Sequence, residues 1–102
     1  MIKDIELEPK PGPKFKLGNI VMTANAERQI PLDEMMIALQ RHQHGDWGDV
    51  CEQDRKTNEE ALELGNRLMS VYKSERELEV ITFWIITEWD RSVTTVLLPE
   101  DY

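Results

Sequence analysis

Residues 78–88 read LEVITFWIITE and form the most strand-like stretch of the chain. Its apolar side chains alternate onto both faces of an extended backbone: Val80, Trp84 and Ile86 on one, Ile81, Phe83 and Ile85 on the other. A strand that is apolar on both faces is usually central in its sheet and covered twice. We therefore expect helices on one face and a different cover on the other, either the N-terminal segment or a second copy of the protein.

The neighbouring segments repeat this period of two. Residues 67–74 and 92–98 also alternate, and charged turns at residues 74–77 and 89–91 separate the three runs. Short strands joined by short polar turns are typical of an antiparallel meander. The C-terminal third is therefore predicted to be three antiparallel strands.

Helical signals lie before the meander, and a first strand is predicted at residues 15–23. Pro31 precedes apolar residues at helical spacing, which predicts a helix over residues 31–42. Thr57 and Glu60 have the form of a capping box, and Gly65 is a stop signal, so a second short helix is predicted between them. The predicted fold is α+β, with an N-terminal strand, two helices and the meander in one mixed or antiparallel sheet packed on the helices.

The predicted domain organisation is one α+β domain over residues 15–102, preceded by an extended proline-rich lead-in over residues 1–14. In this lead-in Ile2, Ile5 and Leu7 could add a short edge strand. A chain of 102 residues is long enough for one core. We expect no signal peptide and no membrane span, and therefore a cytoplasmic protein. The single cysteine, Cys51, excludes an internal disulfide.

The net charge of −8 argues against a general nucleic-acid binder, because that function needs clustered Lys and Arg. Residues 24–66 contribute −6 of this charge, so the acidic field is concentrated in the predicted helical region. Such a surface keeps a protein soluble, and it can also steer a basic partner.

The end of the first predicted helix and the loop after it contain both histidines, so hypotheses of metal binding or acid–base catalysis by histidine depend on this region. His42, His44 and Asp46 form HxHxD, which resembles the first metal segment of the metallo-β-lactamase superfamily. The pattern departs at Trp47, and no later histidine exists to complete either metal site. A zinc site of His42, His44 and Asp46 or Cys51 is an alternative to a histidine-capped helix end, and we predict no metal and no cofactor.

Polar side chains on the predicted sheet suggest a second chemistry. The order of helices followed by an antiparallel sheet resembles the metal-independent ribonuclease toxins of the barnase and colicin type. That resemblance implies His42 or His44 as base and Arg67 or Arg91 at the phosphate. The acidic composition opposes it, because an enzyme that cleaves RNA normally presents a basic face. Cys51 is a poor nucleophile among Asp49, Glu52 and Asp54, because their negative charges disfavour the thiolate.

The chain also resembles small plasmid-related proteins encoded on plasmids, phages and integrated elements. The resemblance rests on LGNIVMTANA, on RHxxGDWG at residues 41–48, on RLMSVY at residues 67–72 and on IITEWDRSVTTVLLPEDY at residues 85–102. Its shared motif is matched by Arg41, His42, Gly45, Asp46, Trp47, Gly48, Asp54, Asn58, Arg67, Asp90, Arg91, Thr94 and Thr95. It implies no specific activity, but residence on a mobile element favours antagonism of host defence, toxin activity or control of element transfer.

The leading hypothesis is a small acidic protein that is not an enzyme and binds a basic surface of another protein, such as a nucleic-acid-binding component of a defence system. We expect no direct binding of nucleic acid or membrane, and a homodimer through the sheet is a further possibility. The ribonuclease or toxin is the alternative. The predicted binding residues are Arg41, His42, Asp46, Trp47, Asp49, Asp54, Arg67, Arg91, Thr94 and Thr95.

Overall fold

The computed structural model of the protein describes residues 12–102. Most of the predicted lead-in, including the proposed edge strand at Ile2, Ile5 and Leu7, lies outside these residues. Over residues 12–102 the chain forms a four-stranded sheet with helices packed on one face, so the prediction of an α+β fold is confirmed.

The strands are β1 (Asn19–Met22), β2 (Leu68–Glu75), β3 (Val80–Thr87) and β4 (Val93–Leu97), and their order across the sheet is β1-β4-β3-β2. Strands β2, β3 and β4 form the predicted antiparallel meander. Strand β1 pairs parallel to β4, which makes the sheet mixed. The order places β3 and β4 in the centre and leaves β1 and β2 at the edges.

The helices are α1 (Ala24–Gln29), α2 (Leu32–Gln43) and α3 (Glu52–Leu64), and a 3₁₀ turn, η1 (Pro99–Asp101), follows β4. Helix α2 lies within one residue of its prediction, because Pro31 and the apolar spacing mark it clearly. Helix α1 was not predicted. The predicted first strand at residues 15–23 is shortened mainly at its start, because β1 begins at Asn19. The N-cap of α1 is Thr23, whose Oγ1 accepts a hydrogen bond from the Ala26 amide at 3.1 Å.

Helix α3 begins five residues earlier than the predicted capping box. Thr57 lies inside the helix, and its hydroxyl donates to the Gln53 carbonyl at 3.0 Å instead of capping the N-terminus. The residue before the helix is Cys51, which makes no side-chain capping bond. The C-terminus agrees with the prediction, since Gly65 adopts φ 72° and ends the helix.

The main core lies between the helices and one face of the sheet. Phe83 and Ile85 of β3 contribute to it with Met35 of α2, and all three are almost fully buried. A smaller cluster of Trp47, Ala61 and Leu68 lies beneath α3. These two clusters hold the helices on the sheet and fix the position of the loop between α2 and α3.

The opposite face of the sheet is covered in part by the C-terminal residue. The ring of Tyr102 lies 5.6 Å from that of Trp84, and its hydroxyl accepts a hydrogen bond from Arg67 at 2.9 Å. Asp101 holds this segment in place, because its carboxylate accepts hydrogen bonds from Thr23 and Asn25, both at 2.6 Å. Within residues 12–102, this face of β3 is thus covered partly by Tyr102, which is neither of the two covers that were predicted.

No helix within residues 12–102 has the length and apolar character needed to cross a bilayer.

Candidate functional site

The turn after α2 is built around an ion pair between Arg41 and Asp46. The guanidinium Nε of Arg41 lies 2.7 Å from Asp46 Oδ2, and the same carboxylate accepts the Gly48 amide at 3.1 Å. The hydrogen bond from Arg41 holds the pKa of Asp46 below its usual value and raises that of Arg41. Arg41 also lies over the ring of Tyr72 at 4.8 Å. Both charges are therefore engaged in shaping the turn.

Gly48 brings this turn against the outer edge of β2. The Val71 amide donates to the Trp47 carbonyl at 3.1 Å, and the Asp49 amide donates to the Val71 carbonyl at 2.8 Å. Gly48 has φ 72°, and a Cβ at this position would lie 2.0 Å from the Val71 carbonyl oxygen. Only glycine permits this approach, so the GDWG stretch adds a short parallel bridge to the edge of the sheet.

Asn58 continues the cover of the same edge from α3. Its side-chain amide donates to the Met69 carbonyl at 2.7 Å, and its side-chain oxygen accepts the Met69 amide at 3.1 Å. Asn58 is only 4% exposed. Together with the bridge at Gly48, it satisfies the backbone of β2 where a further strand would otherwise bind.

Trp47 is buried and packs the turn onto the rest of the protein. Its ring stacks on Phe15 at 6.3 Å and meets the edge of the His42 ring at 5.7 Å. Its indole nitrogen donates to Glu59 at 3.3 Å. Aromatic contacts therefore fix the segment before β1 to the loop, and the indole hydrogen bond fixes the loop to α3.

His42 lies in the core, where its side chain is 0% exposed and both ring nitrogens have partners. Nδ1 lies 2.5 Å from Ser70 Oγ, and Nε2 lies 2.9 Å from Thr87 Oγ1. Thr87 is in turn 2.7 Å from the hydroxyl of Thr94, which donates to the Leu17 carbonyl at 2.6 Å. One hydrogen-bond chain thus joins α2 to β2, β3, β4 and the segment before β1.

The direction of this chain fixes the tautomer of neutral His42. A backbone carbonyl only accepts, so Thr94 donates to Leu17 and must accept from Thr87. Thr87 then has no further proton to give and accepts from Nε2–H, which leaves Nδ1 to accept from Ser70. Burial, and secondarily the charge of Arg91, lowers the pKa of His42 to about 3. His42 is therefore a neutral structural group.

Arg91 joins the β3–β4 turn to the C-terminal end of α3. It is a non-glycine residue with φ 61°, and its guanidinium donates to the carbonyls of Ala61 at 3.0 Å and Asn66 at 2.6 Å. A cation at this position adds a donor to the carbonyls of the helix end and interacts favourably with the helix dipole. It also lies 5.6 Å from the centre of the Phe15 ring. Arg91 thus has a full set of structural partners.

The remaining predicted residues lie apart from this cluster. Asp49 is exposed and 3.9 Å from Lys73. Asp54 and Arg67 line a depression of about 160 Å³ beside α3, and Thr95 pairs with Ile86 on the face of the sheet opposite the main core. Arg41 lines a different depression of about 150 Å³ between α2 and β2. Both are smaller than the roughly 300–1,000 Å³ of small-molecule sites.

His42, Trp47, Arg91 and Thr94 were among the residues predicted from the sequence. The structure brings the first three against Phe15 and joins Thr94 to the Leu17 carbonyl. Phe15 was not predicted, nor was Asn58 assigned to the edge of β2. Phe15 follows the prolines and carries no motif, and Asn58 was interpreted only as part of the resemblance.

His42 is enclosed and has no ring nitrogen left for a substrate, so the ribonuclease hypothesis retains only His44 as its base. His44 is exposed, and its Nδ1 lies 2.7 Å from the Gln40 carbonyl. Within residues 12–102, no three side chains of His, Cys, Asp or Glu are grouped to hold a metal ion. The zinc alternative therefore has no preformed site in the described part of the chain.

Comparison with known proteins finds no matching family model, no similar curated protein and no similar solved structure.

Proposed function

We propose that this protein is a small acidic binding protein, not an enzyme, that engages a basic surface on another protein. The observation that carries the proposal is the exposed face of α3. Glu60 and Glu63 lie there in solvent, and neither belongs to an ion pair within residues 12–102. Carboxylates that are not neutralised by neighbours can attract and orient a cationic partner.

The polar groups that suggested catalysis support the same proposal. His42, Thr94 and Arg91 are engaged in holding elements together, and the pKa of His42 lies far below the range useful to a general base at neutral pH. The two depressions are small and open. A protein that acts through its charged surface needs no deep cleft, so this arrangement agrees with binding.

The setting of this activity is part of the proposal. The resemblance to proteins of mobile elements favours a partner in host defence, such as a nuclease or another nucleic-acid-binding protein, met in the cytoplasm. Such partners present Lys and Arg clusters that normally contact phosphates. A row of carboxylates could occupy those clusters without the protein binding nucleic acid itself.

The first test is calorimetric titration into a purified, lysine- and arginine-rich DNA-binding protein at several salt concentrations. We expect binding whose affinity falls steeply with salt, because screening weakens contacts between exposed charges. We also expect no affinity for DNA or RNA alone and no hydrolysis of RNA. Absence of binding at low salt, or cleavage of RNA by the purified protein, would contradict the proposal.

A further inference from the structure

The two edge strands of the sheet differ in how their outward-facing backbone groups are covered. The outer edge of β2 is covered in its first half, where the backbone at Trp47 and Asp49 bonds Val71 and the side chain of Asn58 bonds Met69. The outer edge of β1 has no such cover from any residue in the described range 12–102. An uncovered edge strand is a template for pairing with another chain.

The backbone of β1 presents a definite set of hydrogen-bonding groups at this edge. The amides of Asn19 and Thr23 donate inward, to Ser92 at 2.9 Å and Val96 at 3.0 Å. Because successive amides of a strand point to opposite sides, those of Ile20 and Met22 point away from β4. Two donors and two acceptors therefore face outward, two residues apart.

The side chains of β1 are apolar and exposed. Ile20, Val21 and Met22 have exposed fractions of 47%, 45% and 38%. They lie in the longest uncharged run of the chain, residues 17–26, in a protein in which 31% of residues are charged. Natural edge strands are usually protected by a charge, a proline or a bulge. None of the four residues of β1 is charged or proline.

We propose that a second copy of this chain pairs with β1 through this edge, antiparallel and about a two-fold axis at Val21. In that register Ile20 of each copy exchanges two backbone hydrogen bonds with Met22 of the other. Val21 faces its own symmetry mate as a non-hydrogen-bonded pair. The spacing of the outward groups is self-complementary, as a two-fold contact requires. The two sheets join into one.

The neutral edge favours a second copy over a basic partner, because a basic partner would be attracted to the acidic helices instead. The net charge of −8 opposes the association of two copies and therefore weakens the dimer. None of the four residues of β1 is charged, so pairing at this edge brings no like charges of β1 together. The contact strand has four residues, so the interface is small and we expect a weak dimer, with Kd near 100 μM or above.

The register is tested by cysteine cross-linking of the full chain in a Cys51→Ser background. Opposed Cβ atoms of a non-hydrogen-bonded pair lie close enough for a disulfide, so Val21→Cys should give a cross-linked dimer under mild oxidation. Ile20→Cys should link at least tenfold more slowly, because two residues of offset separate the copies of this position. Val80→Cys is a matched control, being an exposed strand valine elsewhere. Equal rates for all three variants would overturn the proposal.

Amide hydrogen exchange of the unmodified chain distinguishes the possible occupants of the edge. The proposal expects the amides of Ile20 and Met22 to become more protected as protein concentration rises, while the inward amide of Thr23 is protected throughout. Protection of Ile20 and Met22 that does not change with concentration would indicate an occupant within the same chain. Rapid exchange at every concentration would show an unoccupied edge. Either result would overturn the dimer.

Discussion

His42 shows how a residue that suggests catalysis from its sequence context can serve the fold instead. It lies in the last turn of α2 and shortly before Asp46 and Trp47, which is a common context for a metal ligand or a base. In the structure its ring nitrogens connect Ser70 of β2 to Thr87 of β3. The ring is enclosed by Phe15 and Trp47. A histidine in this position stabilises the fold only while it is neutral.

This role predicts a specific pH dependence of stability. The folded pKa of His42 is about 3 and the unfolded value is 6.5, so the unfolded state binds the extra proton between these values. The contribution of neutral His42 to the free energy of unfolding is fully present above pH 6.5. It falls as pH decreases below that value, with a slope approaching about 1.4 kcal/mol per pH unit. Urea unfolding at pH 7, 6 and 5 measures it. His42→Gln should lower stability at pH 7 and remove most of this slope; an unchanged slope would contradict the assignment.

At the level of elements, the central feature is the cover of the β2 edge by the turn at Trp47, Gly48 and Asp49. A Cβ at Gly48 would collide with the Val71 carbonyl and with the ring of Tyr72, at 2.0 and 2.8 Å. Gly65 has the same φ of 72° but nothing within 4 Å of such a Cβ. Comparison of the two glycines therefore separates the cost of a left-handed backbone from the cost of a steric clash with β2.

We expect Gly65→Ala to cost about 1 kcal/mol, the usual penalty of the left-handed conformation. Gly48→Ala should cost about 3 kcal/mol or more, because the bridge to β2 must also shift. Chemical denaturation of both variants checks the difference. Hydrogen exchange should also show loss of protection at the Val71 amide in Gly48→Ala alone. Equal losses of stability would mean that the bridge contributes little.

The sequence predicted elements well where the periodicity was strong. The three strands of the meander and α2 lie within two residues of their predicted ends, because apolar spacing and turn residues mark them. Helix α1 was missed because its six residues bury only Ala26 and show no apolar face. The first turns of α3 were missed because residues 52–57 are polar and carry no N-cap side chain.

Contacts between distant residues could not be predicted in the same way. The chain from Ser70 through His42 to Thr94 depends on which hydroxyls share a face once three strands and a helix are in register. The pairing of Asn58 with Met69 depends on where α3 lies along an edge strand. Neither leaves a periodic signal in the sequence, so only the structure shows which polar residues are structural.

On the scale of the whole molecule, the polar groups of the interior stabilise the fold, and the charged exterior is the proposed binding surface. Residues of the RHxxGDWG stretch close a turn, fill the small core and complete a sheet edge. The acidic side chains of α3 remain on the surface. If binding depends on this surface, the location of the charges must matter in addition to their total.

The most direct test of the proposed function compares two double variants of equal net charge. Glu60→Gln with Glu63→Gln neutralises the exposed face of α3, whereas Glu75→Gln with Glu77→Gln neutralises exposed residues around the β2–β3 turn. Each is titrated at fixed salt into the same basic DNA-binding protein used for the unmodified chain. We predict that the α3 variant binds about tenfold more weakly, a loss of about 1.4 kcal/mol, and that the turn variant binds nearly normally. Equal weakening by both variants would contradict a binding surface on α3.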